Sequence, residues 1–369
     1  MEIIISIVSF LLGYFVEKIM DLVAQKVSNT YHIKTNKSKK LKLKKRYAID
    51  AVCTEEIYPY VLPKNIWVKH DVSKSLFLTF PKELLAELKG IEGEFATEDH
   101  AFCKLTMPGY TDQEIATAID KARFEIATKF VKREDGLYFN GEKFGVSFLD
   151  SKSRTMDIKE EPQLFLEFYR TDHFTHRVIS RAVEILNPPV SMLNSEFLNQ
   201  DLKWIRTSFG VSIIVVLKSV NQIIMTHRSQ KASFCNGKNW IYVSATEALS
   251  KSDIDEYDSQ LDLTLCVIRG IKEELGIDKS LYSHDRIQFH DCFFETHFYQ
   301  DGIVASVELS EEIFPQDILE MRAKDKQMEI EDIFFVDNTK SDIQKFIHEN
   351  HTDMRSQTIF ALEAYLSTL

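Results

Sequence analysis

Arg269, Glu273, Glu274 and Gly276 combine residue types and a spacing that can do chemistry. The stretch that carries them, residues 263–278, reads largely as an amphipathic helix, because Leu261, Leu265, Ile268 and Leu275 recur at near-helical intervals. Gly276 stops it, since glycine takes the left-handed cap position without a Cβ penalty. Glu273 and Glu274 therefore fall in the last turn, where the negative end of the helix dipole disfavours acids. Carboxylates held against the dipole point to a cationic partner.

Residues 269–277, Arg-Gly-Ile-Lys-Glu-Glu-Leu-Gly-Ile, resemble the second half of the Nudix box, Arg-Glu-aliphatic-any-Glu-Glu-any-Gly-aliphatic. In an active box three glutamates at i, i+3 and i+4 share one helix face. They hold Mg²⁺, which prefers carboxylates and bridges to substrate phosphates. The resemblance implies Glu273 and Glu274 as metal ligands and Mg²⁺ as the cofactor. The first of the three positions, however, is Gly270, and Asp255 and Leu261 stand where the box has its upstream glycine and glutamate. Loss of a hard ligand commonly destroys metal catalysis. A glycine inside a helix also costs about 1 kcal/mol relative to alanine, so something needs the space. The expectation is a binder rather than an enzyme, with no catalytic residues; Glu295 and Glu308 are the candidates for rebuilding a metal site.

In Nudix proteins a nucleotide lies between the first strands and the box helix. The candidate nucleotide-binding residues are therefore His227 and Arg228, placed at a strand end to meet phosphate, Trp240 (or Tyr242) to stack on a base, and Arg269 to orient a carboxylate.

The elements that would position these residues are legible from residue 209 onward. Residues 211–217 form a dense β-branched run, as in a strand buried on both faces. Asn221 turns the chain, and residues 223–227 return as a second strand. Residues 240–243, 289–298, 303–309 and 333–336 read as further strands, and 342–350 and 355–366 as covering helices. From 47 to 200 the pattern is mixed. Helices are expected at 81–88, 112–130 and 176–186, with Thr111 or Asp112 capping the second. A hairpin is expected across 137–149 around Asn140-Gly141, and a strand at 164–169. His173 and His176 lack a third ligand at metal spacing and read as a surface turn.

The 369 residues are 44% hydrophobic with few Gly or Pro, which argues against long disordered tracts. The net charge is −11, yet Lys34 to Arg46 contains eight basic residues and no acid. An acidic body behind a basic collar excludes a nucleic-acid-coating protein. The 5 cysteines form no CxxC pair and read as free thiols in a reducing cytosol. Residues 3–16 are an apolar run that continues more weakly to residue 24, followed by the basic collar. That order is expected of an uncleaved membrane anchor with its collar in the cytoplasm. Glu17 and Asp21 share a helix face. They read either as a polar seam between copies of the anchor or as acids in the membrane interface.

An anchor joined to a Nudix-like domain resembles the transmembrane-Nudix effectors of bacterial cyclic-oligonucleotide-based antiphage signalling (CBASS). The expected fold class is α+β: an amino-terminal transmembrane helix (1–27), a basic linker (28–46), a mixed α/β middle region (47–200) and a Nudix-like α/β/α sandwich (205–369). The resemblance implies a single-pass inner-membrane protein with its amino terminus outside and its carboxyl-terminal domain cytoplasmic. It implies a cyclic nucleotide ligand, the lipid bilayer and further copies of the chain as partners, no nucleic-acid polymer, and killing by membrane disruption. The alternative is a membrane-tethered Nudix pyrophosphohydrolase acting on a nucleoside diphosphate derivative.

Overall fold

A computed structural model describes residues 51–53, 66–88, 90–134, 137, 139–152, 163–193, 195–229, 240–296, 298–323 and 329–369. All of these except Lys152 lie in one unit, Ile49–Ser151 with Gln163–Leu369. In chain order it runs β1 (Ala51–Cys53), β2 (Ile66–Phe77), β3 (Glu92–Gly93), β4 (His100–Ala101), α1 (Asp112–Lys132), β5 (Phe139–Asn140), β6 (Glu142–Lys152), β7 (Gln163–Asp172), α2 (His173–Leu186) and α3 (Ser195–Asn199). There follow β8 (Phe209–Leu217), β9 (Gln222–Arg228), β10 (Ile241–Val243), β11 (Ala245–Ala248), α4 (Leu263–Leu275), β12 (Ile287–Glu295), β13 (Gln300–Glu308), α5 (Pro315–Glu320), β14 (Ile330–Asp337), α6 (Lys340–Asn350) and α7 (Ser356–Leu366).

β8 is the centre of the larger sheet, whose order is β1-β12-β13-β8-β9-β10, with β11 also on β8 and β14 on β9. β8 runs parallel to β13, and among the described residues the other pairings of this sheet are antiparallel. Every residue of β8 is buried, as a β-branched run covered on both faces requires. Val211, Ile213, Val215 and Leu217 join the core that Cys266, Val267, Ile271 and Leu275 of α4 complete. The alternate residues face the other way: Ser212 receives a hydrogen bond from Gln357 Nε2 of α7 at 2.7 Å. The period of two therefore places α4 and α7 on opposite faces.

A smaller sheet, β4-β2-β7-β6, carries Phe144, Leu164, Leu166 and Phe168 into the same core as α4. A second core forms around α1 and α2, with Trp204, Ile205 and Phe294. α1 begins with a capping box, in which Thr111 Oγ1 accepts from Glu114 N and Glu114 answers to Thr111 N. α2 starts at Asp172, whose side chain accepts from Thr175 N at 2.7 Å.

Several expectations are corrected. The described fold is mixed α/β, and among the described residues no helix is long and apolar enough to cross a membrane. This overturns the expected α+β class with its amino-terminal transmembrane helix, and the single-pass inner-membrane localisation built on it. The longest described helix, α1, has 21 residues, but it buries only one stripe, including Ile115, Ile119, Ile126 and Phe130. The rest carries charges that belong in water. The segment taken for an anchor, including Glu17 and Asp21, lies outside the described residues. Residues 137–149 are not a two-stranded hairpin: β5 pairs with β3, while β6 lies in the smaller sheet. Helix 81–88 is a 3₁₀ turn at Lys82–Glu87. His173 and His176 are not on a surface turn; both are buried in the first turn of α2.

Candidate functional site

α4 runs from its cap Asp262, which accepts from Thr264 N at 2.7 Å, to Gly276, which sits at φ 79°. A Cβ on Gly276 would run into the Arg322 carbonyl, so the glycine is needed both for the left-handed turn and for close approach. The buried face of α4 is Leu263, Cys266, Val267, Gly270, Ile271, Glu274 and Leu275. Glu274 thus points inward, while Glu273 lies on the partly open flank.

Gly270 is where β11 lies against the helix. A Cβ there would stand 2.8 Å from Glu247 Cβ and 3.1 Å from Ile213 Cδ1. The space that a box glutamate would leave along is filled by the side chain of Glu247. Glu247 is fixed in turn by Arg269, whose Nη1 lies 2.9 Å from its Oε1. Arg269 also donates from Nε and Nη2 to Asp253 Oδ1 and Oδ2, at 2.9 and 2.7 Å, and from Nη2 to the Ala248 carbonyl at 2.8 Å. Glu273 Oε2 accepts from Nη1 at 3.4 Å. Asp253 is fully buried and also caps its own turn, accepting from Ser250 N at 2.8 Å. One guanidinium, planar and forked, therefore gathers three carboxylates.

The charge balance of this cluster is negative. Burial raises the Glu247 carboxyl, and Arg269 opposes the rise. Glu274 is raised well above the glutamate range by burial first, then by Glu247 and Glu329; Arg228 and the Thr246 amide oppose this. That amide donates to Glu274 Oε1 at 3.1 Å. Arg228 Nη2 stands 2.6 Å from Glu329 Oε2, and its guanidinium lies over the Tyr242 ring at 5.1 Å. Arg269 and Glu273 are thus in direct contact, while Glu274 is joined to Arg228 only through its field. His227 stands apart from these residues: its ring packs on Phe334 at 4.8 Å and its Nδ1 is 3.8 Å from Asp332. Trp240 is half-buried, and its carbonyl accepts from Arg228 N at 3.0 Å. The aromatic ring beneath Arg228 is Tyr242.

The residues here do not fit Mg²⁺. Gly270 offers no side-chain oxygen, Arg269 engages Glu247 and Glu273, and Glu274 Oε1 already accepts from the Thr246 amide. Among the described residues no group of three His, Cys, Asp or Glu is arranged to hold a metal. Glu295 is bound by Arg355 and Ser356, and Glu308 by Arg286 at 2.7 Å, so neither joins the cluster.

Sequence reasoning missed Glu247, Asp253 and Lys143. The signal for the first two was Arg269 itself, since an arginine half-buried on a helix flank calls for carboxylates. Lys143 enters from β6. Burial pulls its ammonium down to about 8; Glu247 resists that shift, while Arg269 and Arg177 add to it.

No protein-family model matches the chain, and no curated protein matches it. Among solved structures, DR0079 from Deinococcus radiodurans is similar over 39% of this chain and 74% of its own, at 16% identity and a TM-score of 0.27. A MutT/nudix family protein from Enterococcus faecalis is similar over 35% of this chain and 43% of its own, at 14% identity and a TM-score of 0.24. These are weak structural neighbours, and likenesses of that size carry no argument about this chain.

Proposed function

We propose that residues 205–369 are a Nudix-like module that binds a nucleotide and does not hydrolyse it. The observation that supports this reading best is the overlay of Gly270 by Glu247. The helix keeps the arginine, paired glutamates and glycine of a Nudix box, and its arginine holds Glu247 and Glu273, but Gly270 removes the first of the three carboxylates. A hydrolase of this kind needs those oxygens free for metal and substrate phosphate. Arg228, stacked over the buried Tyr242 ring, supplies a cation of the sort that meets a phosphate. The ligand class is a phosphate-bearing nucleotide, and a cyclic oligonucleotide is the first to try. Within cyclic-oligonucleotide antiphage signalling, such a module would serve as the sensor.

The test is calorimetric titration of the full chain with cyclic di- and trinucleotides, alongside chromatography of nucleoside diphosphate derivatives incubated with Mg²⁺. Binding without product is expected. Mg²⁺-dependent release of a monophosphate that disappears in Glu274→Gln would make the chain a hydrolase. Failure of every nucleotide to bind would end the reading.

A further inference from the structure

A groove of about 240 Å³ opens between α1 and the end of α2. Two ties bracket it: Tyr110 Oη donates to the Leu186 carbonyl at 2.8 Å, and Arg181 Nε to Glu125 Oε2 at 2.7 Å. Its walls are Glu114, Thr117, Ala118 and Lys121 of α1, with Ile185 and Leu186 of α2, and the surface they offer is almost wholly apolar. Thr117 Oγ1 donates to the Gln113 carbonyl at 2.8 Å, so this hydroxyl asks for no partner from outside. The groove lies below the roughly 300–1,000 Å³ of small-ligand pockets and suits a side chain better than a metabolite.

The side chain to fill it stands on the same helix. Phe124 is 52% exposed, and Glu114, Thr117, Lys121 and Phe124 recur at steps of three and four, the spacing of a helix-pairing seam. The charges along that seam are also ordered. Among the described residues Lys121 makes no hydrogen bond or ion pair. Glu114 spends Oε2 on Thr111 N and Oγ1, at 2.8 and 2.7 Å, which leaves Oε1. A two-fold axis passing between Thr117 and Ala118 lays α1 antiparallel on itself. Glu114 and Lys121 stand equally far from that axis on opposite sides, so the acid of each copy meets the lysine of the other. The same operation carries Phe124 to the level of Thr111, where Leu186 lines the groove. Self-complementarity of this kind is what an isologous interface requires.

We propose that the α1–α2 groove is an interface between two copies of this chain, in which α1 packs antiparallel on α1 and Phe124 of each copy sits in the groove of the other. The phenyl ring supplies most of the affinity, as a buried aromatic anchor does. The Glu114–Lys121 pairs fix the register, because exposed ion pairs add little binding energy but penalise a wrong alignment. The interface uses α1 and α2 alone and does not depend on the nucleotide reading.

The test is sedimentation velocity of the full chain over a concentration series, read as a dimerisation constant. Phe124→Ala is expected to weaken dimerisation by at least about tenfold and to leave the melting temperature of the monomer unchanged. Lys121→Glu sets acid against acid across the axis and is expected to weaken it as well. Glu114→Lys sets base against base, and it also breaks the capping box, so its melting temperature falls. Mixed in equal amounts, the Lys121→Glu and Glu114→Lys chains should form a heterodimer tighter than either homodimer, which a merely destabilised helix cannot produce. Oxidation of Thr117→Cys should join two copies at position 117, located by peptide mass spectrometry, whereas Thr128→Cys, remote from the axis, should give no such link. A wild type that is monomeric throughout overturns the proposal and leaves the groove to a helix of another protein. Wild-type dimerisation in both Phe124→Ala and Lys121→Glu also overturns it and moves self-association to another face.

Discussion

Arg355, buried at the cap of α7, and Arg269, half-buried on α4, belong to helices on opposite faces of the larger sheet, and they are matched differently. Arg355, at the cap of α7, meets one buried carboxylate, Glu295 at the end of β12, through both of its forks. Ser356 Oγ and Gln300 Nε2 complete that carboxylate at 3.2 and 3.3 Å, and the Phe298 ring lies 4.0 Å beneath the guanidinium. Both carboxylate oxygens are matched by the one cation. At Arg269 one cation serves Asp253, Glu247 and Glu273, while Glu274 stands by in a raised state. A closed pair fastens α7 to the sheet. An open cluster with surplus acid is a place where something else is bound or balanced.

The comparison can be broken most directly at the carboxylates. Glu295→Gln leaves Arg355 buried with no counter-charge and is expected to cost about 3–5 kcal/mol in urea unfolding. Glu247→Gln leaves Arg269 with Asp253 and Glu273 and is expected to cost less than about 1 kcal/mol. Equal losses would mean that the surplus at the box is only apparent.

A smaller effect is expected at Gly270. Gly270→Ala gains helix propensity, about 1 kcal/mol, but overpacks against Glu247 and Ile213, which costs about 1–3 kcal/mol. The net result should be a loss. It should shrink or reverse in a Glu247→Gly background, which removes the Cβ that the new methyl would meet at 2.8 Å, a coupling that a double-mutant cycle measures. If the two losses simply add, Glu247 is not what occupies the space.

These elements also show what a sequence can and cannot disclose. β8 was legible because a strand covered on both faces must be apolar at every position, and α4 because Gly276 stops it and Leu261, Leu265, Ile268 and Leu275 recur at helical intervals, although its buried face is turned toward Val267 and Ile271 and leaves Leu265 and Ile268 half-buried. The partners of Arg269 were not legible. Asp253 and Glu247 come from a 3₁₀ turn and a strand upstream, and only the tertiary approach of β11 to α4 brings them together. Asn140-Gly141 imitated a hairpin turn because Asn and Gly favour that geometry. Here the Asn140 side chain is a bracket instead, accepting from Phe174 N and donating to the Glu94 carbonyl. His173 and His176 read as a surface turn for want of a third metal ligand, although α2 buries its whole first turn.

The subtlest effect is a pH dependence. The Glu274 carboxyl is raised in the folded protein, chiefly by burial, so the folded state holds its proton more tightly than the unfolded chain. Stability is therefore lost as pH rises above the ordinary glutamate range, until the folded group has itself ionised. Glu274→Gln removes that loss and keeps an acceptor for Thr246 N. Its melting temperature should match the wild type in mild acid and exceed it at alkaline pH. A difference that does not change with pH would assign Glu274 a structural role alone.

The position of β8 has a consequence for how the chain is made. Its parallel partner β13 and its cover α7 are encoded far downstream: Arg206 finds Asp301 95 residues later, and Ser212 finds Gln357 145 residues later. An all-apolar strand therefore leaves the ribosome long before the segments that bury it. High contact order of this kind slows folding and exposes strand edges to one another. Chaperone demand during synthesis should accordingly concentrate on nascent chains that end between β8 and β13.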